Sequence, residues 1–217
     1  MRQIPPEDPV ERRFLNVSNS KTFRNIGDAF ELKKKMVLDI GCSYGEHLAH
    51  FGKESTGITI NPTESEIGKA RGLDVRLGNA EERLPINRTY DAIYCSNLLE
   101  HLHGPHRFLH DIRSALKPDG ILILGVPVIP SPSTLMRLRK FRGALANSHI
   151  NFFTANSLRL TVERAGWSVE TVRGFRVRNA PADRLIRWLY PHLYVVATPI
   201  ADFEYSAKRK LELAGYH

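Results

Sequence analysis

Short apolar runs without polar alternation, alternating with helical stretches, constrain this chain more than any other feature. Residues 36–40 form one such run, and residues 56–60, 75–77, 90–95 and 121–126 repeat it. A strand without alternation is buried on both faces, and strands that alternate with helices wind into a parallel sheet covered on either side. Residues 167–177 and 193–197 read as two closing strands. The expectation is an α/β fold: a doubly wound, mostly parallel seven-stranded sheet with helices on both faces. Ligands of such sheets sit beyond the carboxyl ends of the strands, at the switch point of the strand order.

The segments between the runs carry helix signals. Asn61 suits an N-cap and Pro62 a first helical position, and Pro105 opens a stretch with Phe108, Leu109, Ile112, Ala115 and Leu116 on one stripe. Thr154 can cap a helix carrying Leu158, Val162 and Ala165, stopped at Gly166. Residues 46–52 read as a short helix, and Pro118-Asp119-Gly120 as the turn into the fifth strand. Residues 1–17 read as a loose lead-in and 18–34 as a helix with Phe23, Ile26 and Phe30 on one face. Residues 203–217 read as a polar terminal helix. The whole of 1–217 is taken as one domain: a lead-in and helix to 35, a core over 36–127, an irregular segment over 128–150 and closing elements over 151–217.

No apolar run is long enough to span a bilayer, and the first residues lack the apolar stretch of a secretory signal. Arg12-Arg13-Phe14-Leu15 is followed by the polar run Asn16 to Thr22 where a twin-arginine signal needs an apolar one, which excludes that reading. Two cysteines cannot build a disulfide framework, so a cytoplasmic location is the default expectation. The formal net charge of +8 favours an anionic partner, such as a phosphorylated or lipid-linked molecule, a lipid surface or nucleic acid. A solvated basic surface explains the charge equally well.

The stretch Val37-Leu38-Asp39-Ile40-Gly41-Cys42-Ser43-Tyr44-Gly45 ends a strand in a carboxylate and turns on glycines. Such a turn lets backbone approach a ligand, and a following helix N-terminus would offer N–H groups. Five further motifs follow in order: Gly57-Ile58-Thr59-Ile60-Asn61-Pro62, Gly78-Asn79-Ala80-Glu81, Tyr90-Asp91-Ala92-Ile93, Leu98-Leu99-Glu100-His101-Leu102 and Leu116-Lys117-Pro118-Asp119-Gly120. Together they make the chain, over about residues 36–127, resemble class I S-adenosylmethionine-dependent methyltransferases, in the small-molecule branch of ubiquinone and menaquinone biosynthesis. A fainter echo follows in His149-Ile150-Asn151-Phe152-Phe153-Thr154.

The resemblance implies a Rossmann-like methyltransferase fold that binds S-adenosylmethionine and releases S-adenosylhomocysteine. It implies that Asp39, Gly41, Cys42, Ser43 and Gly45 hold the methionine end. Asn79 and Ala80 would face the adenine, with Ser96 and Leu98 near the reacting sulfonium. Two positions depart from the family. Ser43 replaces the middle glycine, at little cost if its backbone angle is negative. Thr59 stands where many relatives have the carboxylate that grips the ribose hydroxyls, and a neutral hydroxyl cannot accept two charge-assisted bonds. Glu64, five residues on, is the candidate substitute. The competing reading is that Asn61 and Glu64 form a capping box.

His101, at the pocket mouth, is read either as a general base or as a structural hydrogen-bond partner. His149 and Phe153 are candidates for contact with the acceptor. His106 and His110 have metal-ligand spacing without supporting ligands, and no metal is expected. Cys42 and Cys95 read as packed core. Residues 128–150 read as a substrate lid. Within it Leu135, Leu138, Phe141 and Leu145 alternate with Arg137, Arg139, Lys140 and Arg142, as in a basic amphipathic helix that touches a membrane or simply packs. The leading function is methylation of a small-molecule acceptor: a lipid, quinone precursor, sugar or secondary metabolite. The alternatives are methylation of RNA or protein, and an inactive cofactor-binding scaffold. The oligomeric state is left open.

Overall fold

The computed structural model describes residues 8–213. The chain forms a seven-stranded sheet in the order β3-β2-β1-β4-β5-β7-β6. Its strands are β1 (Val37–Ile40), β2 (Thr56–Thr59), β3 (Val75–Leu77), β4 (Tyr90–Ser96), β5 (Leu116–Pro127), β6 (Trp167–Arg173) and β7 (His192–Pro199). The first five run parallel, and β7 is antiparallel to both β5 and β6. The strand order reverses between β1 and β4, so the carboxyl ends of those two strands flank the crevice where such folds bind ligands.

Burial follows from the pleat. Leu38, Ile40, Ile93, Leu122 and Leu124 pack on one face with Phe108, Leu158, Val162 and Trp167. Val37, Tyr94, Ile123 and Val196 pack on the other with Phe23, Ile26 and Phe175. The one-face cover comes from α4 (Pro105–Asp111) and α5 (Ala155–Arg164), and the opposite cover from α2 (Lys21–Ala29). Trp167 is buried because its indole N–H donates to the Leu109 carbonyl at 2.8 Å. The helix α3 (Pro62–Ala70) packs by Gly68, where a Cβ would lie 2.6 Å from the Val75 side chain.

Several expectations are corrected. The lead-in holds a helix, α1 (Pro9–Asn19), because Asp8 accepts from the Val10 N–H and Pro9 fixes the first helical residue. The helix expected over 18–34 breaks at Ser20, whose hydroxyl caps α2 through the Phe23 N–H. The Pro118-Asp119-Gly120 turn lies inside β5 as a bulge, where pairing jumps from Tyr90–Leu116 to Ala92–Ile121. Residues 46–52 contain only a 3-10 turn, Leu48–His50. The lid contains two 3-10 segments, Ser133–Arg137 and Arg139–Leu145, and no amphipathic α-helix. The terminal helix is α7 (Ala207–Leu213); residues 1–7 of the expected lead-in and 214–217 of the expected helix lie outside the described residues.

The connection from β6 to β7 contains α6 (Ala180–Leu185) and is tied by one carboxylate. Fully buried Asp183 accepts from the N–H groups of Phe175, Arg176 and Val177 at 2.8–3.0 Å and from the Tyr190 hydroxyl at 3.1 Å. Each donor would be stranded by truncation, so Asp183→Ala is expected to cost about 3 kcal/mol or more. The urea midpoint at unchanged slope measures this; a shift below about 1 kcal/mol would contradict the role given to the carboxylate.

Candidate active site

The turn after β1 delivers the site's backbone. Gly41 (φ +80°) and Gly45 (φ +86°) adopt left-handed angles, and a Cβ on Gly45 would meet Leu73 at 2.7 Å. The N–H groups of Gly41 and Cys42 both donate to the Ile58 carbonyl, at 2.9 and 3.0 Å. This fastens the turn to β2, and no α-helix begins there. The helix N-terminus expected from the sequence is therefore absent; Gly41 is exposed and Ser43 half-buried, with Cys42 buried between them. Across the crevice, Leu98 sits 3.4 Å from where a Cβ on Gly41 would project.

Ser43 has a positive φ of 51°, which overturns the expectation of a negative angle. A non-glycine residue in this region is strained by about 1–2 kcal/mol. The strain is accompanied by a bond: the Ser43 hydroxyl donates to Glu64 Oε1 at 3.0 Å. The Thr59 hydroxyl donates to the other oxygen, Oε2, at 2.6 Å. Thus one carboxylate joins the turn after β1 to the end of β2. Asn61 does cap α3, accepting from Thr63 and Glu64 N–H, but the Asn61 N–H donates to the Thr59 hydroxyl and not to Glu64. Only the Asn61 half of a capping box forms, and the Glu64 side chain turns toward the crevice.

Asp39, next to the last residue of β1, is almost fully buried, and its Oδ2 has no hydrogen-bond partner among the described residues. Burial, then the nearby Glu46 charge, raises its carboxyl well above the usual aspartate range. Glu46 was missed in the sequence because it reads as a surface position of a short helix. It is buried; Arg13 of α1 donates to its Oε1 at 3.0 Å, while its Oε2 lacks a partner among the described residues. Arg13 also lies over the Tyr44 ring, so α1 straps the turn.

Cys42 is buried beneath the turn, its thiol raised by burial and then by the Asp39, Glu46 and Glu64 carboxylates. Its side chain is packing, as is that of Cys95. Asn79, after β3, accepts from the Glu81 N–H and donates to Glu82, with half-buried Ala80 beside it. Ser96 ends β4 within 3.5 Å of the Tyr194 hydroxyl. Asn97 follows with φ +56°, and its Oδ1 accepts from His192 Nε2 at 3.0 Å. Tyr194 and His192, on the antiparallel β7, carry no motif that would have announced them.

His101 is exposed. Its Nδ1 donates to the Ser148 carbonyl at 3.0 Å, so the structural bond left open by the sequence exists, with Nε2 left over. The His149 ring lies edge-on to it at 4.8 Å between centroids. Glu100 lies below them, buried, with both carboxylate oxygens unpartnered among the described residues and its carboxyl raised by burial. The lid is stitched to this loop: Ile150 and Asn151 N–H donate to the Glu100 carbonyl, and the Asn151 amide donates to the Leu99 and Leu102 carbonyls. Phe153 corrects an expectation. It is core, bridged to Val128, and the exposed ring is that of Phe152. His106 and His110 do not converge as ligands but pack on Tyr205.

Beyond β5 and β7 lies a cavity of about 630 Å³, lined by Val128–Ser131, Thr154–Asn156, Arg184, Leu185, Arg187, Trp188, Tyr190 and Leu193. Its walls are largely apolar, with Arg184 and Arg187 as the charged groups.

A model of the methyltransferase domain family matches residues 12–172. The mitochondrial ubiquinone biosynthesis O-methyltransferase of Schizosaccharomyces pombe is 26% identical over 75% of this chain and 67% of its own length. The tRNA U34 carboxymethyltransferase of Pseudoalteromonas translucida is 23% identical over 73% of this chain and 52% of its own. The chain thus spans between half and two-thirds of these two relatives. Among solved structures, an S-adenosylmethionine-dependent methyltransferase of Mesorhizobium loti superposes with a TM-score of 0.60 at 14% identity, over 83% of this chain and 99% of that one. The CcbJ methyltransferase of Streptomyces caelestis gives 0.61 at 15%, over 83% and 90%. The fold is the Rossmann-like one of class I S-adenosylmethionine-dependent methyltransferases. The chain belongs to the methyltransferase domain family.

Burial pushes two histidines at the crevice floor down, His47 to about 4 and His192 to about 3. Both rings are expected to stay neutral from pH 5 to 8. Nitrogen-detected NMR titration checks this; a midpoint near 6.5 for either would contradict their burial.

Proposed function

We propose that the chain transfers a methyl group from S-adenosylmethionine to a small-molecule acceptor. S-adenosylmethionine supplies, when bound, an electrophilic methyl on a sulfonium sulfur. The residues present fit this cofactor. The unpartnered Asp39 Oδ2 is a buried acceptor suited to an ammonium group, and the exposed Gly41 backbone leaves room for the methionine chain. Glu64 offers its remaining lone pairs to a pair of ribose hydroxyls. Asn79 and Ala80 stand where the adenine edge would lie, and Ser96 and Leu98 where the acceptor atom would meet the methyl.

The single observation that carries this reading is the Glu64 carboxylate held between Ser43 and Thr59. It restores, from a different position, the charge that Thr59 lacks, and so argues against the inactive-scaffold reading. The apolar cavity beside β5 and β7 supports a small-molecule acceptor, because its volume suits a drug-sized ligand. The chain's own contribution is to orient the acceptor and exclude water; orientation alone supplies much of the rate in such transfers. The Nε2 of His101 or His149 can take the acceptor's proton where one must leave. RNA is the second reading, favoured by the resemblance to the tRNA carboxymethyltransferase and by the basic charge.

Glu64→Gln removes a charge that ribose hydroxyls would bond, worth about 1.5–3 kcal/mol. S-adenosylhomocysteine affinity should fall roughly 10- to 100-fold in calorimetric titration. Unchanged affinity would sink the ribose role. Affinity should also decline on acidification at a pH above the ordinary aspartate range, as raised Asp39 becomes protonated, and Asp39→Asn should abolish that decline. Acceptors are then found by transfer of labelled methyl to extract fractions. Label in small molecules supports the proposal, whereas label confined to RNA would replace it with the second reading.

A further inference from the structure

Charge is not spread evenly along this chain. Residues 121–201 contain eleven Lys and Arg against three Asp and Glu, which is the whole formal net charge of +8; the remainder is balanced at twenty of each. Of the three acids, Asp183 is buried on backbone N–H groups and Glu163 pairs with Arg159. Arg137, Arg139, Lys140, Arg142, Arg184 and Arg187 have no carboxylate partner among the described residues.

Topology gathers these cations. Both β5 and β6 are antiparallel to β7, so they run the same way. The connections leaving them, the lid and the α6 segment, therefore emerge at one edge of the sheet. Their residues meet around the shared cavity, where Val128–Ser131 face Arg184, Leu185, Arg187 and Trp188. The same two connections hold six of the eleven exposed large apolar side chains among the described residues: Leu138, Leu145, Ile150, Phe152, Leu185 and Trp188. Leu185 is 78% exposed, next to Arg184. The lid's 3-10 segments leave Leu138 and Leu145 exposed among the basic residues.

We propose that this edge docks on an anionic lipid bilayer, with the cavity opening at the membrane surface. Unpaired cations complement acidic headgroups, and the interleaved Leu, Ile, Phe and Trp side chains suit the apolar layer beneath them. A nucleic acid would satisfy the cations but not the aliphatic side chains. Trp is at home at the boundary between headgroup and hydrocarbon, and Trp188 stands beside Arg187 there. No helix among the described residues is long and apolar enough to cross a membrane, so the contact is peripheral. The proposal does not depend on the acceptor, nor on methyl transfer.

The test is flotation of the full chain with vesicles of phosphatidylcholine alone and of phosphatidylcholine with about a third phosphatidylglycerol. Binding to the anionic vesicles only, weakened by added salt, is expected. Tryptophan emission should shift to the blue, and Trp188→Phe should remove the shift, because Trp167 is already buried. The double variants L185S/W188S and R184E/R187E should each reduce partition at least tenfold. S-adenosylhomocysteine titration on each variant checks that the fold survives. No binding to either vesicle would overturn the proposal, as would equal binding to neutral and anionic vesicles. So would salt-sensitive binding to RNA that L185S/W188S leaves intact in a chain indifferent to lipid.

Discussion

The carboxylate of Glu64 is the contact on which the crevice depends. It receives one hydroxyl from Ser43, in the turn after β1, and one from Thr59, at the end of β2. Taken singly, each of those residues departs from the family pattern. Taken together with Glu64 they form one device: a neutral residue at the strand end, a carboxylate supplied from the first turn of α3, and a serine in the glycine turn that steadies it. The left-handed angle of Ser43 then has a reason, since it aims the hydroxyl at the carboxylate.

Around this contact the chain divides by charge and by construction. The crevice between β1 and β4 rests on buried carboxylates, Asp39 and Glu46, and on a turn fastened to β2 through the Ile58 carbonyl. The side beyond β5 and β7 rests on stitches between irregular segments. Asn151 ties the lid to the loop after β4, and Asp183 ties the β6–β7 connection to itself. Such ties fix loop positions without a helix or strand to hold them. They leave the outer apolar and basic side chains available for contact.

The parallel sheet was legible because buried strands announce themselves by composition. Residues 75–77 were bounded as observed, and the Asn61-Pro62 and Thr154 caps worked as local chemistry requires. Spacing from Thr59 singled out Glu64, and its carboxylate bonds Thr59 and Ser43 while only the Asn61 half of the capping box forms. What failed had identifiable causes. Asp8-Pro9 is a helix start within a stretch that composition had marked as loose. The spacing of Leu135, Leu138, Phe141 and Leu145 imitated an α-helix, while the backbone took tighter 3-10 turns. Phe153 shares its motif with His149 but points into the core. Glu46, His192 and Tyr194 meet their partners across long stretches of sequence, which no local pattern encodes; Asp183 bonds within its own connection, through a loop whose turn carries no recognisable motif.

The most direct measurement compares S-adenosylhomocysteine with its 2′-deoxyribose analogue, by calorimetric titration, on the unaltered chain and on Glu64→Gln. If Glu64 grips the ribose, the unaltered chain favours the natural compound by roughly tenfold or more, and the variant loses most of that preference. Equal preference in both proteins would mean that Glu64 merely braces Ser43 and Thr59, and that the ribose is held elsewhere.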